Sequence, residues 1–345
     1  MTVSQIDPIE DPRWPVFLER HPRATVFHTP AWLEALRRTY GYEPRALTTA
    51  APGEDLSNGL VFCRIDSWLT GRRIVSLPFS DHCQTLAESE TEFACLLAAL
   101  KRDAGVSKAR HLEIRPIALP GSAPLDLAKT ATFCLHRLDL RPCVEELFRH
   151  FHKDCTQRKI RRAEREALDC EEGRTESLAD RFYHLLLLTR RRQQLPPQPR
   201  AWFRNLAASM GDRLKIRLAS RNGQPVASIL TLQHKSTLVY KYGCSDKNFA
   251  NLGGMQLLFW KAIQDAKRDG LSEFDLGRSD WDNQGLIDFK SRWGAAQSSL
   301  TYWRCPAPPI AKTHGWTMQI AKQVFAHLPD SCLTAAGNLL YKHVG

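Results

Sequence analysis

Toward the C-terminal end of the chain run Asp275-Leu276-Gly277-Arg278-Ser279, then Phe289-Lys290 and Trp293-Gly294. The spacing predicts a short apolar strand ending at Asp275, a Gly-Arg-Ser turn that carries Arg278 and Ser279, and a helix that carries Lys290. Strand ends are where α/β domains gather functional groups. A carboxylate there can take a proton from a reacting group. A lysine or arginine can stabilise an oxygen that gains negative charge. Asp275 and Lys290 fit those two roles and Arg278 is a third candidate; capping the turn is the simpler role for Asp275. The helix is expected to bury Leu286, Phe289 and Trp293, so that Lys290 leans over the edge of that stripe toward a cleft. An exposed lysine lying over Trp293 is the plainer reading.

Four more groups suit anions or a polar substrate. Asn251-Leu252-Gly253-Gly254-Met255 falls between a predicted strand and a predicted helix. Free amides at a helix N-terminus attract phosphate, which makes Asn251, Gly253 and Gly254 cofactor-contact candidates, with Lys247 close by. A plain loop-to-helix turn has the same pattern. In Tyr240-Lys241-Tyr242-Gly243 a regular strand would point Lys241 to one face and its tyrosines to the other. Lys241 and Tyr242 are therefore substrate-contact candidates, against an exposed lysine on a half-buried sheet. From Lys153 to Arg165 a basic helix carries Arg158 and Arg161, with Ile160, Ala163 and Ala167 inward. Arg190, Arg191 and Arg192 form a second cluster. Such clusters hold a sugar-linked diphosphate, a tRNA acceptor stem or anionic lipid, or they are simply solvated. Ser80-Asp81-His82 follows a strand and reads equally as substrate recognition or as structure.

The bulk numbers narrow the class. A chain of 345 residues can bury one large or two ordinary cores. Its 43% hydrophobic and 25% charged content is that of a soluble globular protein, and its net charge of +11 implies an anionic partner. Gly-x-Ser-x-Gly, a phosphate-binding loop ending in Gly-Lys-Ser/Thr, His-Glu-x-x-His and Gly-x-Gly-x-x-Gly are all missing from the sequence. That argues against hydrolase, nucleotide triphosphatase, metalloprotease and dehydrogenase chemistry. The first residues are polar and acidic, and no run approaches the ~18 apolar residues a membrane span needs. Ten cysteines without a Cys-x-x-Cys pair suggest reduced thiols and a cytoplasmic location. His150, His152 and Cys155 match no standard zinc spacing, so no metal is expected.

These groups need elements to hold them. Thr29, Pro30 and Gly41 bracket a helix over 30–40. Strands are predicted at 45–50, 59–66, 72–77, 111–115 and 132–140, with a helix over 90–104 that Gly105 ends. Strands at 213–219, 226–232 and 237–242 read as an antiparallel meander whose first connection is Asn222-Gly223. A helix over 253–267, a strand over 273–276, a helix over 284–292 and a strand over 299–303 complete this half. The stretch between the halves reads as mostly helical. Past Pro306-Ala307-Pro308-Pro309, Trp316, Ile320, Val324 and Leu328 repeat at four-residue spacing, as in an amphipathic helix that packs on the body or lies on a membrane.

Phe27 to Trp32, Leu77 to Cys83, Tyr240 to Gly243, Leu252 to Met255, Asp275 to Ser279 and Phe289-Lys290, in that order, resemble the FemAB and BioF2-like acetyltransferase families of the GNAT superfamily. The resemblance runs from Phe27 to Trp303. It implies an α/β fold of two tandem GNAT-like domains with mixed, largely antiparallel sheets flanked by helices, plus a helical C-terminal tail. The expected division is 1–141, a basic connector over 142–212, a catalytic core over 213–305 and a tail over 306–345. It also implies an N-acyltransferase that moves an acetyl, other acyl or aminoacyl group from acyl-CoA or aminoacyl-tRNA to an amine of a cell-envelope, peptidoglycan or polysaccharide precursor. The phosphate-bearing donor would come and go as a substrate, with no permanent cofactor and no stable DNA binding. The acceptor would be lipid-linked or a sugar nucleotide, and the enzyme cytoplasmic with peripheral contact at the inner membrane face. In GNAT enzymes the place matching 251–255 holds the coenzyme A pyrophosphate under an Arg- or Gln-led loop; that lead residue is missing here. The lysine of the Phe-Lys pair, here Lys290, is the residue implied for transfer. A non-catalytic GNAT-fold module for tRNA or another polyanion is the alternative.

Overall fold

A computed structural model describes residues 2–121, 124–306 and 329–344. Its described residues form two compact units: those up to 133 with 299–306 and 338–344, and 134–298 with 329–337.

The first unit begins with β1 (Ser4–Ile6), α1 (Arg13–Arg20), α2 (Pro30–Tyr40), β2 (Glu43–Thr48), β3 (Leu60–Ile65) and β4 (Arg73–Val75). There follow α3 (Glu90–Val106), β5 (Leu112–Ile114) and the start of β6 (Ala128–Asp139). Thr29 caps α2 by accepting the Trp32 amide, with Pro30 in the first turn and Gly41 in the left-handed conformation after the last. Strands β1 to β4 pair antiparallel in chain order, and β5 joins parallel to β4. Phe93, Leu96, Leu97 and Leu100 of α3 pack on Leu60, Phe62, Ile74 and Leu112 of this sheet. Gly105 does not end α3. The helix runs past it to Val106, and the Ser107 hydroxyl closes it by donating to the Asp103 carbonyl at 2.8 Å.

The second unit takes the end of β6, then α4 (Val144–His150), one π-helical turn (Lys153–Gln157) and α5 (Arg158–Arg165). Next come β7 (Asp169–Gly173), α6 (Glu176–Arg192) and α7 (Arg200–Met210). The meander is β8 (Leu214–Arg221), β9 (Gln224–His234) and β10 (Thr237–Ser245), followed by α8 (Gly254–Arg268), β11 (Glu273–Asp280), α9 (Gln284–Ser291) and the first residues of β12 (Ala296–Cys305), whose remainder belongs to the first unit and pairs antiparallel with β5. Strands run in the order β6-β11-β10-β9-β8-β7, with β10 and β11 parallel and the meander antiparallel. Both loop residues of the β8–β9 hairpin, Asn222 and Gly223, have positive φ, as a type I′ turn requires. Strand β7 lies in the stretch expected to be mostly helical. Its Asp-Cys-Glu-Glu-Gly sequence has poor strand propensity, and it forms because it pairs with β8 alone at an edge, where its carboxylates stay exposed. Among the described residues no helix is long and apolar enough to cross a membrane. Trp316, Ile320, Val324 and Leu328 lie outside the described residues, as does all but Pro306 of the proline-rich linker.

Candidate active site

Strand β11 does not end at Asp275. It continues to Asp280 through a kink at Gly277, whose φ of +71° is open to glycine at little cost. The expected Gly-Arg-Ser turn is therefore a bent strand. Two side chains hold the bend. Asp275 Oδ1 accepts the Gly277 amide at 2.7 Å. From α9, Lys290 Nζ donates to the Gly277 carbonyl at 2.9 Å and to the Arg278 carbonyl at 2.8 Å. Asp275 and Lys290 are each only 2% exposed. The buried stripe of α9 is Ile287 and Lys290, with Leu286 and Phe289 half-buried, because the ammonium has polar partners to satisfy it inside. Lys290 is thus neither an exposed lysine over Trp293 nor one leaning off the core's edge. Ser279 is buried in the same strand, and Arg278 is partly exposed.

An aromatic wall backs the kink. Phe259 of α8 stacks on Trp293 at 5.2 Å, meets Phe289 edge-on at 5.2 Å and touches Tyr240 at 4.7 Å. Burial pushes the Tyr240 phenol well above its ordinary range. Lys241 sits where the β9–β10 register slips between Tyr240 and Tyr242. The slip sends the two tyrosines to different helices, not to one shared face. Tyr240 goes to Phe259, while Tyr242 meets Phe203 of α7 and accepts the Trp202 indole N–H at 2.9 Å. Lys241 lies over the Tyr242 ring at 5.7 Å.

Strand β6 adds a histidine that sequence reasoning missed. His136 is fully buried, and its Nε2 lies 3.2 Å from Ser291 Oγ. That hydroxyl donates to the Ile287 carbonyl at 2.8 Å and accepts from Gln297 Nε2 at 2.7 Å. Its one proton is committed, so His136 Nε2 is the donor and Nδ1 carries the lone pair, with the Cys134 thiol at 3.7 Å. Burial, then the Lys290 charge, pushes His136 down to about 4, and it stays neutral at pH 7. A polar residue on the inward face of an alternating strand was the available signal.

The basic segment is tied to α9. The His152 amide and the Thr156 hydroxyl both donate to the Arg292 carbonyl, at 2.9 and 3.2 Å. Arg158 and Arg161 point outward along a shallow groove, with Arg158 facing Asp154 at 3.6 Å and Arg161 lying over Phe148 at 5.5 Å. The second cluster is engaged in packing: Arg190 reaches Gln193 and Gln198, Arg191 pairs with Asp330, and Arg192 reaches the Ser245 carbonyl. Gly253 and Gly254 start α8 with no side-chain cap. A Cβ on Gly253 would stand 2.3 Å from the Lys159 carbonyl oxygen, and one on Gly254 would press on Ala227 and Val226. Both glycines therefore have a packing reason to be there, while Asn251 is exposed at the turn. In the first unit Ser80 donates to the Leu77 carbonyl at 2.9 Å and His82 meets the Phe27 ring edge-on at 5.3 Å; both are buried, and Asp81 is half-buried beside them.

Asp275, Arg278, Ser279 and Lys290 thus come together in the second unit, where the basic helix is anchored beside them. Residues 154–291 match the family model described as Acetyltransferase (GNAT) domain. Over that stretch the chain is similar to GNAT acetyltransferases, and its fold is similar to that of FemAB-like proteins. No curated protein matches it in sequence. Among solved structures it is similar to FemX at 14% identity and a TM-score of 0.69, covering 94% of this chain and 100% of that one. The L-PGS structure from Bacillus licheniformis gives 14% identity and a TM-score of 0.53 over 92% of this chain and 98% of its own. A tandem GNAT protein from the clavulanic acid biosynthesis pathway gives 12% and 0.55 over 90% and 99%. At these identities the likeness concerns the fold.

Proposed function

We propose that this protein is an N-acyltransferase whose reaction centre is the kink of β11. The acyl or aminoacyl group would come from acyl-CoA or aminoacyl-tRNA and pass to an amine of a cell-envelope, peptidoglycan or polysaccharide precursor. The observation that carries this reading is the buried pair of opposite charges, Asp275 and Lys290, on either side of one strand bend within the GNAT stretch. In direct transfer the amine nitrogen bonds to the acyl carbon, the ester or thioester bond breaks, and the amine proton leaves. The Asp275 carboxylate can take that proton. The Lys290 charge, held in a low-dielectric setting, favours the oxygen that becomes negative in the transition state. The outward arginines of the groove, Arg158 and Arg161, suit the phosphates of either donor. Both donors are cytoplasmic compounds, which supports that location.

Lys290→Met tests the reading. Turnover should fall by roughly a hundredfold or more, the scale of one lost oxyanion donor. Two carbonyls lose their partner, so stability should also drop by about 1–3 kcal/mol, and assays belong below the variant's melting temperature. Near-normal turnover would remove Lys290 from the mechanism and leave Arg278 as the next candidate. A thermal-shift comparison of acetyl-CoA with charged tRNA distinguishes the donors, since a ligand of the native state raises the melting temperature.

A further inference from the structure

Between β3 and β4 the first unit carries an apolar tip. Trp68 is 77% exposed and Leu69 48%. The turn beneath them is firmly bonded. The Gly71 amide donates to the Ser67 carbonyl at 2.7 Å, and Ser67 Oγ accepts the Leu69 and Thr70 amides at 3.2 and 3.0 Å. The same hydroxyl lies 3.0 Å from His343 Nδ1. The Thr70 hydroxyl and the Arg73 guanidinium both donate to the His343 carbonyl, at 2.9 and 2.8 Å. His343 stands near the end of the last helix, Asp330–Val344, whose residues from 338 on belong to this unit. Trp68 meets the His343 ring edge-on at 5.3 Å, and Val344, the next residue, is 54% exposed. These bonds hold large apolar side chains out in solvent, already placed for something to cover them.

The surroundings of the tip are basic. Arg72, Arg73 and Lys342 line a cleft of about 530 Å³ together with Asp66, Glu43, Ser107 and Ala109. Lys108 stands exposed between the last two. The Arg110 side chain lies on the tip itself: a Cβ on Gly71 would stand 2.6 Å from its Nε. The acids of the cleft face cations of the chain, Asp66 with Arg72 at 3.1 Å and Glu43 with Arg45 at 3.5 Å. Lys108, Arg110 and Lys342 form no ion pair among the described residues. A nucleic acid would take these cations and leave Leu69 and Val344 in water. An apolar protein face would take the tip and desolvate the cations. An anionic bilayer satisfies both: indole and leucine enter the boundary between head groups and acyl chains, while lysine and arginine stay at the phosphates. We propose that the β3–β4 tip and the last turn of the closing helix dock the first unit on an anionic lipid surface. This goes beyond acyl transfer and does not rest on it.

The test is co-sedimentation with vesicles of phosphatidylcholine alone and of phosphatidylcholine mixed equally with phosphatidylglycerol. The wild type should sediment with the mixed vesicles, far less with the neutral ones, and less as salt rises. Trp68→Ala with Leu69→Ala should weaken binding by roughly tenfold or more, the scale of one large apolar side chain taken out of water. Lys342→Gln with Arg110→Gln should weaken it by about fivefold for each charge. These four side chains are exposed, so melting temperatures should hardly move. Insertion is read with brominated acyl chains, which quench an indole on contact. The wild type should be quenched, and Trp68→Phe should still bind but lose most of the quenching. Absent binding of the wild type to mixed vesicles, equal binding to neutral ones, or full binding by Trp68→Ala with Leu69→Ala would each overturn the inference. Quenching that survives in Trp68→Phe would do the same, since another indole would then be the one in the bilayer. Self-association in ultracentrifugation that the double alanine variant abolishes, without vesicle binding, would assign the tip to a second copy of the chain instead. Vesicle binding is measured without donor or acceptor, so its outcome is separate from the turnover of Lys290→Met.

Discussion

The two units each lay a long helix on a sheet, and the helices begin in opposite ways. In the first unit α3 closes its own N-terminus. Ser89 Oγ accepts the Glu92 amide at 3.1 Å, Glu92 accepts the Ser89 and Glu88 amides, and Asn58 holds the other oxygen of Glu92 at 2.9 Å. Against the cost of burial, these contacts hold the Glu92 carboxyl below its ordinary range. The place where an anion would sit is filled by one. In the second unit α8 starts on Gly253 and Gly254 with no side-chain cap, and the backbone of α5 comes up against the turn. The strands that follow differ in the same sense. In β5 and just past its end, Glu113 and Arg115 pair with each other at 2.8 Å. In β11 a buried Asp275 and a Lys290 from another element hold the backbone bent. A helix start already filled by the chain's own carboxylate has little left for a substrate. In the second unit the helix start carries no side-chain cap and the strand bend holds the buried charges, and the proposed chemistry lies there.

Gly253→Ala probes the contrast with the largest effect outside the reaction centre. Gly253 has a φ of +80°, and the new Cβ would meet the Lys159 carbonyl. Backbone strain and overpacking together should cost roughly 2–4 kcal/mol, read by denaturant unfolding. Gly253→Asn relieves the strain but keeps the clash. A loss below about 0.5 kcal/mol in both variants would mean that α5 does not rest on this turn.

Local signals in the sequence were readable where the partners are local. Thr29, Pro30 and Gly41 bracket α2 because cap, first turn and stop all lie within it. Asn222-Gly223 marks its hairpin because the turn needs only those two residues. The misses share one cause. The Gly277 kink, the burial of Lys290, the bulge at Lys241 and the His136–Ser291 contact all depend on groups from separate elements. Sequence periodicity placed Lys290 one step off the apolar stripe. It could not show two carbonyls waiting inside to accept its hydrogen bonds.

Charge reversal of Arg158 with Arg161 has a smaller expected effect, confined to ligand binding. Both side chains are exposed, so stability should hardly change. If they meet donor phosphates, affinity should fall, and the slope of log K against log salt should flatten by about one for each phosphate that is no longer neutralised. Acetyl-CoA and charged tRNA are the probes. An unchanged affinity and slope would make α5 a solvated support for α9 and confine the contrast between the units to the β11 kink.

Ser89→Ala addresses the other side of the comparison and should have the smallest effect. It removes the hydroxyl that accepts the Glu92 amide and leaves the Glu92 carboxylate on the Ser89 and Glu88 amides. The loss should be about 1 kcal/mol, the usual cost of an N-cap. Turnover should not change, because α3 packs on the first unit's sheet and its N-terminus already holds a carboxylate. Adding Glu92→Gln weakens that internal anion and should cost more than the single change, since the two side chains cap each other. If the double variant instead gains affinity for inorganic phosphate while staying folded, the two helix starts differ only in whether the sequence supplies its own anion. If it gains none, the packing of α5 against Gly253, and not a vacant helix terminus, is what distinguishes the second unit.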